Sequence, residues 1–472
     1  MLALRSSLAP FGRRRAERRR SREIENAHLA SGRVRVSTPS GGAVRPTTAH
    51  SGRVGRLGSR SRALRLAPFL ICSQGVGALL GLLTARWLGP SAKGVVTAFA
   101  TWAQLIGWIA GLGLGTAFQL RAVHIRGERE LLGRMLGNAL VFSVTVGLTT
   151  SLIALPLLSR SLRHLSPDAP YIASLLLLPI AFNMLTGFLA LIQLALQRTG
   201  LYGTTLLISP IVTGILAIGF RVFHYLNPVS LSFAYAVGSL ASFATAAAHL
   251  PWRLSRPHMP SLLHDLRFGV KTWLGSVLGL ANLRLDLLLL STFLASAKIG
   301  IYAAATNLLI PIGVLPAVVS LLILPEVASA ATSREGYGLI RRRAALTVKV
   351  SSVTAIVICL LCPVVIPALL GPAYRPAIPL VLILAPGLVA RAYANVLIAG
   401  STGLKKTKVG NAAETAGLLF TIVLLVALVP TLGILGASFA SSASYTASAL
   451  TAFVLTRDKG QAAHHDTEVP VA

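Results

Sequence analysis

Acidic side chains are scarce. The chain carries 14 Asp and Glu against 44 Lys and Arg, and only 12% of its 472 residues are charged. A soluble domain keeps roughly a quarter of its residues charged. Half that fraction cannot cover a water-facing surface of this size, so the surface must largely face lipid. Cysteine is nearly absent, with Cys72, Cys359 and Cys362 alone. The last two form a CxxC, a spacing used by metal and redox sites. They lie within the apolar run 356–366, with no second ligand pair and no nearby His. Packing cysteines fit that setting better, and no metal and no cofactor is expected. Aromatic stacking platforms on a basic folded face are missing too, which excludes nucleic acid as the partner of the +30 net charge. Anionic membrane lipids suit scattered cations better.

What is present is apolar sequence, 54% of the chain, with a mean hydropathy of +0.71. Runs of about twenty residues recur from Leu64 onward, each long enough to cross a hydrocarbon core of about 30 Å. They fall at 64–85, 95–118, 137–158, 171–192, 203–222 and 229–250, then at 269–293, 300–327, 346–370, 377–399, 413–430 and 433–456. The expected fold is an all-α membrane protein of about twelve transmembrane helices. Residues 1–62 hold fifteen Arg without apolar periodicity, and such a segment cannot offset its ordering entropy by burial. They read as a disordered basic cytoplasmic tail or as an over-long gene start. The remaining divisions are an N-lobe at 63–250, a basic cytoplasmic linker at 251–268, a C-lobe at 269–456 and a cytoplasmic tail at 457–472.

Orientation follows from the cations, which concentrate in cytoplasmic loops. With the N-terminus inside, the cytoplasmic gaps hold sixteen Lys and Arg, among them Arg121, Arg126, Arg253, Arg341, Arg342, Arg343 and Lys405, and the alternate gaps hold seven. The bias persists without the Arg-rich tail. Both termini are therefore expected in the cytoplasm.

The chain also repeats itself. Ser91-Ala92-Lys93-Gly94 reappears as Ser296-Ala297-Lys298 followed by Gly300, and Thr199-Gly200-Leu201 as Thr402-Gly403-Leu404, at offsets of 205 and 203 residues. Each pair joins equivalent gaps of two six-helix halves. An even number of helices per half makes the second half enter the membrane as the first does, so the lobes are parallel repeats related by an axis along the membrane normal. Two such lobes enclose a central cavity.

Several strings resemble a known family. Ala85-Arg86-Trp87-Leu88-Gly89-Pro90 followed by Gly94 is similar to the "aRxLGpxxxG" turn of the Wzx-type polysaccharide and O-antigen flippases. Those belong to the multidrug/oligosaccharidyl-lipid/polysaccharide (MOP) exporter superfamily. The glycine-rich 111–115, Asp286 with Leu287 to Leu290, Gly300 and Tyr302, Leu324-Pro325, and 433–437 resemble further turns and helix ends of that family. The resemblance spans about 64–456. It implies two six-helix lobes, alternating inward- and outward-open states, a bacterial cytoplasmic membrane, and a lipid-linked anionic oligosaccharide as cargo. Polysaccharide glycosyltransferases and a polymerase would be its partners.

Ionisable side chains within the spans are costly and mark candidate sites. Arg284 and Asp286 lie deep in the seventh span, and two residues of separation place them on different helix faces. Arg284 suits the diphosphate of a lipid carrier because its planar fork matches phosphate oxygens. Asp286 would contact sugar hydroxyls or a coupling cation, and an interhelical structural pair is the alternative for both. Arg391, in the tenth span, is a second diphosphate candidate unless it snorkels to the interface. Asn282, Glu326 and Arg86 are weaker candidates, for which interhelical bonding, a solvated helix end and anchoring of a turn are the ordinary explanations. No catalytic residue is expected. A membrane glycosyltransferase or polymerase needs a carboxylate in a sizeable outer loop, and the longest outer gap, about 159–170, has Asp168 alone. A cation-coupled drug exporter would need a more acidic cavity than two Arg and one Asp provide. A non-transporting scaffold stays open.

Overall fold

The computed structural model describes residues 51–125, 128–248, 255–328, 330, 332–404 and 406–465. Among these, the chain is helical from end to end. The helices are α1 (Ser51–Ala110), α2 (Leu114–His124), α3 (Arg129–Ser161), α4 (Ala169–Leu177), α5 (Ile180–Ala195), α6 (Thr199–Val222) and α7 (Pro228–Ala248). They continue as α8 (Met259–Phe293), α9 (Ser296–Leu308), α10 (Ile310–Ala328), α11 (Ser333–Leu369), α12 (Ala377–Gly403), α13 (Lys408–Leu432) and α14 (Ile434–His465).

Among the described residues, eight helical segments are long and apolar enough to cross a membrane, α4 and α5 counting as one, or up to nine if α9 and α10, bent by 49°, form one span. This is fewer than the expected twelve. Two expected runs lie on α1, either side of a corner at Gly89 (φ 75°, ψ 173°). A side chain is rarely tolerated at that φ, and the Pro after it starts a new helix without losing a hydrogen bond. The run on α14 is diluted by serines.

Three boundaries differ from expectation. Helix begins at Ser51, inside the stretch expected to be a disordered tail; residues 1–50 lie outside the described residues. The linker 251–268 is helical from Met259, where His258 accepts from the Ser261 amide and Pro260 occupies the first turn. This start packs on the N-lobe: Asn138 bonds His258 and Ser261, and Arg121 pairs with Asp265 at 2.9 Å. Residues 259–268 are thus the first turns of α8, fastened by buried polar contacts. The C-terminal helix runs on to His465, within the expected tail, and 466–472 lie outside the described residues.

The first pair of repeated strings meets. A Cβ on Gly94 would lie 1.8 Å from the Ser296 carbonyl oxygen, and one on Gly300 would lie 1.9 Å from that of Pro90. The backbones of α1 and α9 therefore touch directly. At the same end, Arg86 donates to the carbonyls of Ala368 and Leu369 at 2.7 and 2.8 Å, and Tyr374 donates to that of Ala85 at 2.8 Å. Burial pushes the Tyr374 hydroxyl above its ordinary pKa, so it remains a donor. Trp102 Nε1 bonds Ser291 Oγ at 2.9 Å across the same seam. This end is the one that the cation bias places outside.

Candidate functional site

The site is built on α8, because it carries three of the six candidates. Asn282 and Asp286 are one turn apart and both buried, at 2% and 4% exposure. Residues four apart share a helix face, and here that face turns into the C-lobe. Asp286 accepts from Tyr302 on α9, from Ser441 on α14 at 3.0 Å, and from the Leu287 amide at 2.7 Å. Tyr302 and Ser441 also contact each other at 3.3 Å. A carboxylate so far from water is tolerable because three donors surround it.

One turn away, Asn282 accepts from Thr421 at 2.9 Å and from Ser444 at 3.0 Å, and its amide donates to Glu414 at 3.3 Å. Glu414 in turn holds Arg391, with contacts of 2.8 and 2.9 Å from the two guanidinium nitrogens. This is the bidentate geometry for which Arg is suited. The Tyr445 ring lies 6.0 Å from the Arg391 guanidinium carbon. A polar column therefore links α8, α12, α13 and α14.

Arg284 stands apart. Its Nε is buried without a hydrogen-bond partner, and no ion pair among the described residues engages it. Asp286 bonds to Tyr302 and Ser441 instead, as the angular separation predicts. Arg284 and Ser291 are seven residues apart and so lie on one face of α8. Ser291 bonds Trp102 of the N-lobe, so Arg284 occupies the face of α8 turned toward the other lobe.

The remaining candidates are engaged by other parts of the protein. Glu326 accepts two bonds from Arg343 at 3.0 and 3.1 Å. Arg86 holds the last carbonyls of α11, the anchoring its position suggested. Arg391, considered for the diphosphate, has its fork occupied by Glu414. Glu414, Tyr302, Ser441, Thr421 and Ser444 were missed. A deep Arg391 required a counter-charge, and that was the signal for Glu414.

Removing one partner of a buried ion pair leaves a charge uncompensated, at about 3–5 kcal/mol. Glu414→Gln and Arg391→Gln should each lower thermal stability in detergent sharply, while the double variant should recover much of the loss. Equal stability of the single variants and wild type would show that the pair bears no load.

A family model described as polysaccharide biosynthesis protein matches residues 66–326, more than half of the chain. No curated protein matches. An inward-facing multidrug resistance MATE transporter of the MOP superfamily superposes with a TM-score of 0.69 at 14% identity, covering 83% of this chain and 96% of that one. The lipid II flippase MurJ, in an inward closed conformation, gives 0.68 at 16% identity, covering 82% and 87%. A MOP transporter from Pyrococcus furiosus, described as having a binding pocket of reversed polarity, gives 0.63 at 14%, covering 89% and 100%. At these identities the likeness concerns the fold, and the fold is that of MOP transporters.

Proposed function

This chain belongs to the polysaccharide biosynthesis protein family, and we propose from that premise that it flips a polyprenyl-diphosphate-linked oligosaccharide from the cytoplasmic to the outer leaflet of a bacterial cytoplasmic membrane. The observation that carries the proposal is Arg284, whose buried Nε lacks a partner on the helix face turned toward the opposite lobe. Arg284 is half-buried, and an anionic headgroup would give its guanidinium the hydrogen-bond acceptor that the protein does not supply to Nε. In this reading twelve spans form two parallel lobes, N-lobe 63–250 and C-lobe 269–456, with both termini inside. The sugar and diphosphate pass between the lobes while the polyprenyl tail stays in lipid. Alternation of the lobes needs no bond chemistry. Partner glycosyltransferases would supply the cargo and a polymerase would consume it.

A drug exporter for organic cations requires an accessible carboxylate, whereas Asp286 and Glu414 are both bonded within the C-lobe. That favours an anionic cargo. The test is reconstitution in vesicles holding a fluorescent polyprenyl-diphosphate oligosaccharide. A membrane-impermeant quencher should reach only outer-leaflet label without protein and nearly all label with it. Protein-containing vesicles that quench like empty ones would refute flipping.

Orientation has its own test in a cysteine-free background. Glu335→Cys and Leu404→Cys should react with an impermeant maleimide only from the cytoplasmic side, and Leu165→Cys only from outside. Labelling at 335 from outside would overturn the cation-based topology.

A further inference from the structure

The deep charges on α8, α12 and α13 turn inward, but α11 carries charge on its outward face. The helix buries Ile340, Ala344, Thr347 and Ser351 against the bundle. Its opposite side exposes Arg341, Arg342, Leu346 and Lys349. Arg342, Leu346 and Lys349 are spaced by four and three residues and form one stripe. At 1.5 Å per residue, Lys349 lies about 10 Å beyond Arg342. The outward face then continues as Val353, Ile356 and Leu360, which are 62%, 58% and 73% exposed. No further charge occurs before the helix ends at Leu369.

The neighbouring acid is already committed, since Glu326 accepts two bonds from Arg343. No ion pair among the described residues engages Arg341, Arg342 or Lys349. A solvated basic loop would account for the two arginines alone. It does not account for a lysine two turns into a stripe otherwise made for hydrocarbon. Lysine can lie along such a stripe only if its ammonium reaches back to the polar layer, which brings it toward the level of the two arginines.

We propose that this stripe binds one anionic glycerophospholipid. Its phosphate would be held by Arg341, Arg342 and Lys349, and an acyl chain would lie along Val353, Ile356 and Leu360. Charge complementarity selects an anionic over a zwitterionic headgroup, and the uninterrupted apolar stripe selects a lipid over a soluble anion. The proposal depends on α11 spanning a membrane and not on what the protein transports.

Titration of phosphatidylglycerol or phosphatidylcholine into the purified full-length protein, read by native mass spectrometry and thermal midpoint, tests it. Phosphatidylglycerol should bind as a discrete adduct and raise the midpoint, while phosphatidylcholine should do neither. Each cation near a membrane surface is worth roughly a fivefold change in affinity. Lys349→Gln should therefore weaken binding about fivefold, Lys349→Arg should retain it, and Arg341→Gln/Arg342→Gln/Lys349→Gln should lose the adduct. The triple variant alters exposed side chains, and its monodispersity and its midpoint without lipid establish that it is folded. Undiminished phosphatidylglycerol binding by the folded triple variant would overturn the proposal. So would no discrimination between the two lipids, or displacement of phosphatidylglycerol by inorganic pyrophosphate. Polyprenyl diphosphate competing at the same residues more strongly than phosphatidylglycerol would also overturn it, by assigning the stripe to the carrier lipid.

Discussion

Arg284→Ala is expected to lower flux per folded molecule by one to two orders of magnitude. Charge-assisted hydrogen bonds to a diphosphate in a poorly hydrated site are worth roughly 1.5–3 kcal/mol, and each 1.4 kcal/mol is about tenfold. The substitution also removes a buried Nε that has no partner, so the unloaded protein should be no less stable than wild type. Loss of flux without loss of folded protein is therefore the signature. Arg284→Lys keeps charge but lacks the planar fork, and it should recover part of the activity. Arg391→Ala should do the reverse, losing folded protein because Glu414 is stranded. Quenching in proteoliposomes normalised to monodisperse protein separates these outcomes. Full flux per molecule in Arg284→Ala would remove the cationic site from the mechanism.

Gly300→Val should be the most damaging of the small substitutions. A Cβ there would approach the Pro90 carbonyl oxygen at 1.9 Å, and one at Gly94 would approach that of Ser296 at 1.8 Å. No rotamer change relieves a clash with backbone, so α1 and α9 must separate. Overpacking of ordinary cores costs about 1–3 kcal/mol, and a backbone clash of this size belongs at or above that upper end. The expected result is a several-fold loss of monodisperse protein and a lower thermal midpoint. Gly313→Ala is the control, because nothing lies within 4 Å of a Cβ at that position. Normal yield and midpoint in both Gly300→Val and Gly94→Val would contradict the close crossing.

The helices were legible because a membrane demands long apolar runs, and those runs end near the observed turns at Ser161 and Val222. The contact of the repeated strings was half legible. Recurrence of Ser-Ala-Lys at one offset announced two like lobes, but nothing in the strings says that the copies touch. The first turns of α8 were read as a linker because basic residues and prolines suppress the apolar signal. Only their bonding to Asn138 and Arg121 reveals a docked helix. Arg284, Asp286 and Arg391 stood out because charge in an apolar run is conspicuous. Tyr302, Thr421, Ser441 and Ser444 did not, since hydroxyls are ordinary in membrane helices and gain meaning only from what they face. Glu414 sits in the first turns of α13, where a carboxylate resembles an interfacial residue until Arg391 is seen beside it.

The seam between the lobes has an asymmetry that bears on how the sequence can drift. Arg86 and Tyr374 supply side chains, but their acceptors at Ala368, Leu369 and Ala85 are backbone carbonyls. The close approaches of Gly94 and Gly300 are likewise to the carbonyls of Ser296 and Pro90. Every residue type offers a carbonyl. Tolerance at the seam is therefore one-sided: positions 368 and 369 can vary without a compensating change across the interface, whereas 86, 94, 300 and 374 cannot. Correlated substitution, which arises when two side chains must match, has little to act on at these four positions. Covariation between the lobes is therefore expected at side-chain pairs such as Trp102 with Ser291 and Arg121 with Asp265, and not at these backbone-held positions.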